Sequence, residues 1–280
     1  MDRAALARAY NNRELVPEHP QHFARWAEGS ARARASLESR LDLAYGPAAG
    51  ERLDVFPASG GDGAALVFIH GGYWRSLDKK DFSFLAPPWV EAGVSFVALN
   101  YDLCPGATIE EIVRQMLRAS RWLYRHAEEH GIDEEKLVVS GHSAGGHLVA
   151  MLMAALWPLY DRDLPGDLYK GGLAISGIYD LRPLVQVEFL NADLRLDEAS
   201  AYKSSPAFLP PATRAPVYTC VGGAESSEFL RQNALLGQRW KTVAGDIAMP
   251  GANHFTVLDG LADPASALFQ GARRLLQLGR

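Results

Sequence analysis

Gly141-His142-Ser143-Ala144-Gly145 stands between an apolar, β-branched run, "KLVVSG" (136–141), and an apolar helical stretch that begins at Ala144. A serine alcohol attacks a carbonyl carbon only when a sharp turn presents it and a base lies beside it. Glycine two residues away on each side removes the side chains that would collide across such a turn. The spacing G-x-S-x-G in a strand–turn–helix context is that of a nucleophile elbow. The helix that starts there aims free N–H groups and the positive end of its dipole at a developing oxyanion. Serine ahead of a helix is also a common N-cap, but capping alone asks for no flanking glycines.

A serine nucleophile needs a base and an acid, which follow it in the order serine, acid, histidine in a sheet of this kind. His254, in "MPGANHFTVLDG", comes after the last expected strand and before the C-terminal helix, where that histidine belongs. His126 and His130, in a polar helical stretch, and His19 and His22, in the N-terminal segment, read as solvated. The acid belongs just past the penultimate strand, where "VYTCVGGAESSEFLRQ" offers Glu225 in the loop and Glu228 at the start of the next helix. A carboxylate there orients the imidazole and stabilises its cation. Loop position favours Glu225; Glu228 also suits stabilising the first turn of its helix. Asp102 and Asp180 follow strands as well and stay in the set.

"HGGYW" (70–74) follows the buried run "ALVFI", and its backbone can supply the other half of an oxyanion hole. Gly71, Gly72, Tyr73 and Ala144 are the candidate donors, with His70 bracing the loop. Tyr73 and Trp74, with Trp26, Tyr179 and Phe255, are candidate walls for a flat substrate group, and His70 a further contact. Trp26 and Phe255 read equally well as core. His142 and His147 are five residues apart, on different helix faces, which argues against a metal site. Cys104 and Cys220 are far apart with no CxxC, so neither a disulfide framework nor a thiolate metal site is expected. No cofactor is implied.

These side chains need a scaffold that brings together the ends of several strands. Strand candidates are 42–45, 52–56, 65–69, 94–99, 136–141, 172–176, 217–221 and 245–249; helix candidates are 79–91, 108–130, 144–157, 226–243 and 263–278. That alternation predicts an α/β fold with a mostly parallel, twisted sheet of about eight strands and helices on both faces. The first two strands follow each other without a helix, which suggests an antiparallel start. Residues 1–40 read as a helical extension covering the site, and residues 178–214, with four prolines, as a loop-rich, cap-like excursion. A single domain over 1–280 is the simplest organisation.

Composition bounds the partners. With 280 residues, 48% hydrophobic, 22% charged and a formal net charge of -5, the chain reads as an ordinary globular protein. The negative balance disfavours nucleic acid and anionic membranes, so a small-molecule substrate is expected. No stretch approaches the roughly 18 apolar residues of a membrane span, and the first residues lack the apolar core of a secretory signal. A cytoplasmic protein is expected, and a homo-oligomer is compatible with the sequence.

Taken together, "YNNR" (10–13), "LDVF" (53–56), "HGGYW" (70–74), "NYDLCPGATIEEIVRQ" (100–115), "GHSAGGHL" (141–148), "SGIYDLRPL" (176–184), "ESSEF" (225–229) and "NHFTVLDGL" (253–261) resemble the α/β-hydrolase superfamily. Within it they are similar to the kynurenine formamidase (arylformamidase) group. The resemblance runs in order over nearly the whole chain. It implies an α/β-hydrolase fold and a cofactor-free serine hydrolase that removes formyl from N-formylkynurenine in tryptophan breakdown. By matching position it makes Ser143 the nucleophile and His254 the base. The chain departs from the group's usual aspartate in having Glu225. An amino-acid substrate would need a partner for its carboxylate, for which Arg13, Arg75 and Asn12 are candidates. A carboxylesterase acting on short acyl esters, or an enzyme acting on a related small amide, would use the same machinery.

Overall fold

The runs near 65–69, 95–99, 137–142 and 171–175 are almost uninterrupted apolar stretches, the pattern of strands covered on both faces. In the computed structural model, which describes residues 2–278, they form the centre of an eight-stranded sheet. The strands are β1 (Arg40–Ala44), β2 (Arg52–Phe56), β3 (Ala65–Ile69), β4 (Ser95–Leu99), β5 (Leu137–His142), β6 (Gly171–Ile175), β7 (Val217–Gly222) and β8 (Val243–Met249). Their spatial order is β1-β2-β4-β3-β5-β6-β7-β8. β1 and β2 pair antiparallel, as does β2 with β4, and every later pairing is parallel. The expected antiparallel start and parallel body are both present, and the expected strands differ only at their ends.

The N-terminal extension forms α1 (Arg3–Tyr10), α2 (Asn12–Leu15) and α3 (His19–Ser36). Two separate apolar cores cover the sheet. On one face lie α5 (Ile109–His126) and α6 (Ala144–Met153), and on the other α4 (Ala86–Glu91), α11 (Ala267–Leu278) and the Trp26 side of α3. Between these come α7 (Trp157–Tyr160), α8 (Glu188–Leu194), α9 (Glu198–Lys203) and α10 (Ser227–Arg239).

Proline sets several boundaries that periodicity places too far out. The stretch 79–91 divides into a 3-10 turn, Lys79–Leu85, and α4, with proline in the first turn of α4. In the same way 144–157 ends as α6 at Met153, and Pro158 opens α7. Proline lacks the N–H that a continuing helix would use, so it starts a helix more readily than it extends one. The excursion at 178–214 is not loop-rich. Its prolines cut it into 3-10 turns at Arg182–Gln186 and Pro206–Phe208 around α8 and α9.

The expectation of solvated histidines fails in part. His130 is buried, with its ring against Trp122 and Nδ1 facing Arg40. His19 and His22 are half-buried, stacked on Phe255. Among the described residues no helix is long and apolar enough to cross a membrane.

Candidate active site

β5 runs into Ser143, and α6 starts at the next residue. Ser143 holds φ at 58°, a left-handed conformation that side chains adopt only when their surroundings impose it. Those surroundings are the flanking glycines. A Cβ on Gly141 would lie 2.4 Å from the Gly145 carbonyl oxygen, and one on Gly145 would lie 2.0 Å from that of Ile69. The turn therefore closes only with glycine at both places.

The segment after β8 carries His254 back over this turn. Nε2 of His254 is 3.1 Å from Ser143 Oγ, and Nδ1 is 2.6 Å from Glu225 Oε2. A carboxylate accepts, so Nδ1 carries the hydrogen and Nε2 offers its lone pair to the serine hydroxyl. Glu225 is fixed through its other oxygen. Oε1 accepts from Ser176 Oγ at 2.5 Å and from the Gly222 N–H at 2.8 Å. Ser143, His254 and Glu225 are 2%, 5% and 9% exposed, so these bonds operate shielded from bulk water. Ser176, which no motif assigns a task, stands at the end of β6, where the parallel register of β6 and β7 sets it beside Glu225.

The other carboxylates have different duties. Glu228 accepts from the Tyr10 hydroxyl at 2.9 Å and pairs with Arg231, joining α1 to α10. Asp180 pairs with Arg182, and Asp102 accepts from the Gly50 N–H and Gln115. None of the three bonds to His254.

The 70–74 loop wraps over Ser143 from the end of β3. Gly72, Tyr73 and Trp74 all have positive φ (108°, 51° and 56°), and Gly72 O closes the turn by accepting from the Arg75 and Ser76 N–H groups. A Cβ on Gly71 would sit 3.0 Å from Ser143 Cβ, so the loop presses against the nucleophile turn. Gly71 itself offers its carbonyl to His70 Nδ1. Among the described residues the N–H groups of all four candidate donors, Gly71, Gly72, Tyr73 and Ala144, have no acceptor.

A cavity opens above Ser143 and His254, walled by Tyr73, Trp26, Phe255, Phe23, Phe82, Phe189, Leu77 and Tyr10. Three expected substrate contacts are corrected. Trp74 is fully buried under the loop, edge-on to His147 at 5.0 Å, because positive φ at three successive residues winds the chain and turns this ring into the core. Tyr179 is buried against Gly177, with its N–H on Gln232. His70 lies between the Phe82 and Tyr101 rings and bonds Asn100 at 3.1 Å, which makes it the brace of the loop and not a cavity wall. Burial holds the His70 imidazole below its usual range.

The three candidates for a carboxylate partner separate. Arg75 is taken up by Asp193 at 2.6 Å and by the Phe189 carbonyl, tying the loop to α8. Arg13 lines the cavity with its guanidinium over the Phe23 ring, and has no carboxylate partner among the described residues. Asn12 is buried beside it, with Nδ2 unbonded. His142 and His147 do not converge: Nε2 of the first meets the His254 carbonyl, and Nε2 of the second that of Ser204.

The sheet order, the strand–serine–helix turn and the histidine beyond the last strand define an α/β-hydrolase. Residues 53–162 match the BD-FAE family. The chain is similar to kynurenine formamidases of Salmo salar and Danio rerio, each 31% identical over 86% of this chain and 83% of the other. It superposes on the crystal structure of a Silicibacter protein described as a candidate thioesterase with a TM-score of 0.84, 34% identity and coverage of 94% and 96%. Esterase B of Lactobacillus rhamnosis, at 14% identity and a TM-score of 0.70 over 95% and 96% of the two chains, shares the fold. The chain belongs to the kynurenine formamidase family.

Proposed function

We propose that this protein is an arylformamidase that hydrolyses N-formyl-L-kynurenine to formate and kynurenine through a formyl-enzyme intermediate. The observation that carries the reading is the unbroken line of hydrogen bonds from Ser143 through His254 to Glu225 at the floor of an aromatic cavity. His254 Nε2 takes the Ser143 proton as Oγ bonds to the formyl carbon. The carbonyl oxygen, now an anion, meets the free N–H groups of Gly72, Tyr73 and Ala144, each worth on the order of 3 kcal/mol in such a site. His254 then gives its proton to the departing aniline nitrogen as the C–N bond breaks. Water, deprotonated by His254 Nε2, then adds to the formyl carbon, and as the bond to Ser143 Oγ breaks His254 returns the proton to that oxygen and formate leaves.

Formyl is the smallest acyl group, so recognition falls on the leaving group. Trp26, Tyr73 and Phe255 supply flat surface for an aryl ring, and Arg13 an unpaired cation for the amino-acid carboxylate. No metal or cofactor enters this sequence of steps, and neither nucleic acid nor a membrane is needed. Two buried free cysteines suit a reducing cytoplasm. A short-acyl carboxylesterase is the second reading, favoured by 39% identity over 32% of the chain to an ethyl acetate hydrolase of Pseudomonas putida. Formate release from N-formyl-L-kynurenine tests the proposal: wild type turns it over, and Ser143→Ala loses both turnover and labelling by a serine-directed phosphonate. Labelling that persists in Ser143→Ala contradicts the assignment of the nucleophile.

A further inference from the structure

Among the polar side chains of the cavity that the steps above leave unused, His142 stands next to the reacting serine. His142 precedes the nucleophile, is 4% exposed, and lines the same cavity as Ser143 and His254. Its Nε2 lies 2.8 Å from the carbonyl oxygen of His254, which can only accept, so Nε2 carries the ring's hydrogen. Burial and the neighbouring His254 ring keep the imidazole neutral, its pKa held well below the usual value. Nδ1 is therefore a bare lone pair. It has no donor among the described residues, and the residue that carries it lines the cavity beside Ser143. Gly71 sets its place: a Cβ there would lie 3.3 Å from His142 Nδ1 and 3.0 Å from Ser143 Cβ, so the lone pair and the nucleophile flank one glycine. An unpaired acceptor in a buried wall is a defect until a donor arrives.

We propose that His142 determines specificity for amides over esters, its Nδ1 accepting a hydrogen bond from the N–H of the scissile formamide. This rests on the arylformamidase reading and adds a selective element to it. A secondary amide carries one N–H on the nitrogen that must leave, and that N–H has to stay bonded while the nitrogen becomes pyramidal. An ester presents oxygen at the same point and has no hydrogen to give. The neutral ring makes no demand for a counter-charge, so the contact selects N–H without attracting cations. The glycine at 71 keeps the lane between Nδ1 and the reacting carbon free of side chain.

The test compares formanilide with phenyl formate, which share the formyl group and the ring and differ only in N–H against O. His142→Phe is expected to lower the amide-to-ester ratio of kcat/KM at least about tenfold. His142→Asn, whose Oδ1 falls near the place of Nδ1, is expected to keep most of the ratio. Both variants lose the bond to the His254 carbonyl, so that shared loss cancels. A second measurement needs no variant: wild type is expected to cleave N-methylformanilide at least about tenfold less well than formanilide, after correction for their rates with hydroxide. Equal loss on both substrates in His142→Phe, or undiminished cleavage of the N-methyl compound, overturns the role of His142 and leaves the formamidase reading standing. Wild type that cleaves phenyl formate but not formanilide overturns both.

Discussion

Replacing Glu225 by glutamine removes one charge and no volume, and the structure dictates how the amide must sit. Oε1 of Glu225 receives two donors, Ser176 Oγ and the Gly222 N–H. The amide oxygen takes that place, because an NH2 there would face the Gly222 N–H, which can only donate. The NH2 is thus forced to the position of Oε2, 2.6 Å from His254 Nδ1. The imidazole must then accept at Nδ1 and carry its hydrogen on Nε2, towards Ser143, where it can no longer take the serine proton. A triad held in the wrong tautomer loses about 10^4-fold in kcat, or roughly 5 kcal/mol of transition-state stabilisation. The assay is steady-state formate release at pH 7.5, with thermal unfolding of the variant as control. A folded Glu225→Gln enzyme within tenfold of wild type would refute both the tautomer argument and the choice of Glu225 as acid.

Arg13→Ala is expected to raise KM for N-formyl-L-kynurenine about tenfold or more and to leave formanilide, which has no carboxylate, unaffected; titration of initial rates on both substrates checks this. Burial depresses the His147 imidazole from 6.5 to about 4. Between those values the unfolded chain binds a proton that the folded chain refuses, so stability is complete above pH 6.5 and falls as the pH drops towards 4. The loss from this one group is about 3 kcal/mol, and buried His142 and His70, lowered in the same direction, add to it. Urea unfolding at pH 7.5 and 5 measures the decline, and His147→Gln is expected to flatten it.

The meeting of Ser143, His254 and Glu225 was legible because each position depends on chain order around strands that composition makes obvious. Glycines two residues either side of Ser143 announce a closed turn, and His254 and Glu225 stand just past strands whose runs are strongly apolar. The cavity wall was less legible. Tyr73 and Trp74 are adjacent aromatics in one turn, and only the φ values of the loop decide that the first lines the cavity while the second is core. Phe189 belongs to α8, a two-turn helix among prolines, where no apolar period extends far enough to orient it. Ser176 is beyond sequence pattern altogether: its bond to Glu225 exists because β6 and β7 are neighbours in the sheet. Arg13 and Arg75 are equivalent as sequence, and Asp193, far along the chain, is what removes Arg75 from consideration.

The most direct test of the account is the ratio of kcat/KM for N-formyl-L-kynurenine to that for p-nitrophenyl acetate on the wild-type enzyme. An aromatic cavity with a cation that has no carboxylate partner among the described residues predicts that the formamide is preferred, although the ester is chemically the more reactive. A preference for the ester of tenfold or more, about 1.4 kcal/mol, would contradict the formamidase function and leave an esterase in its place.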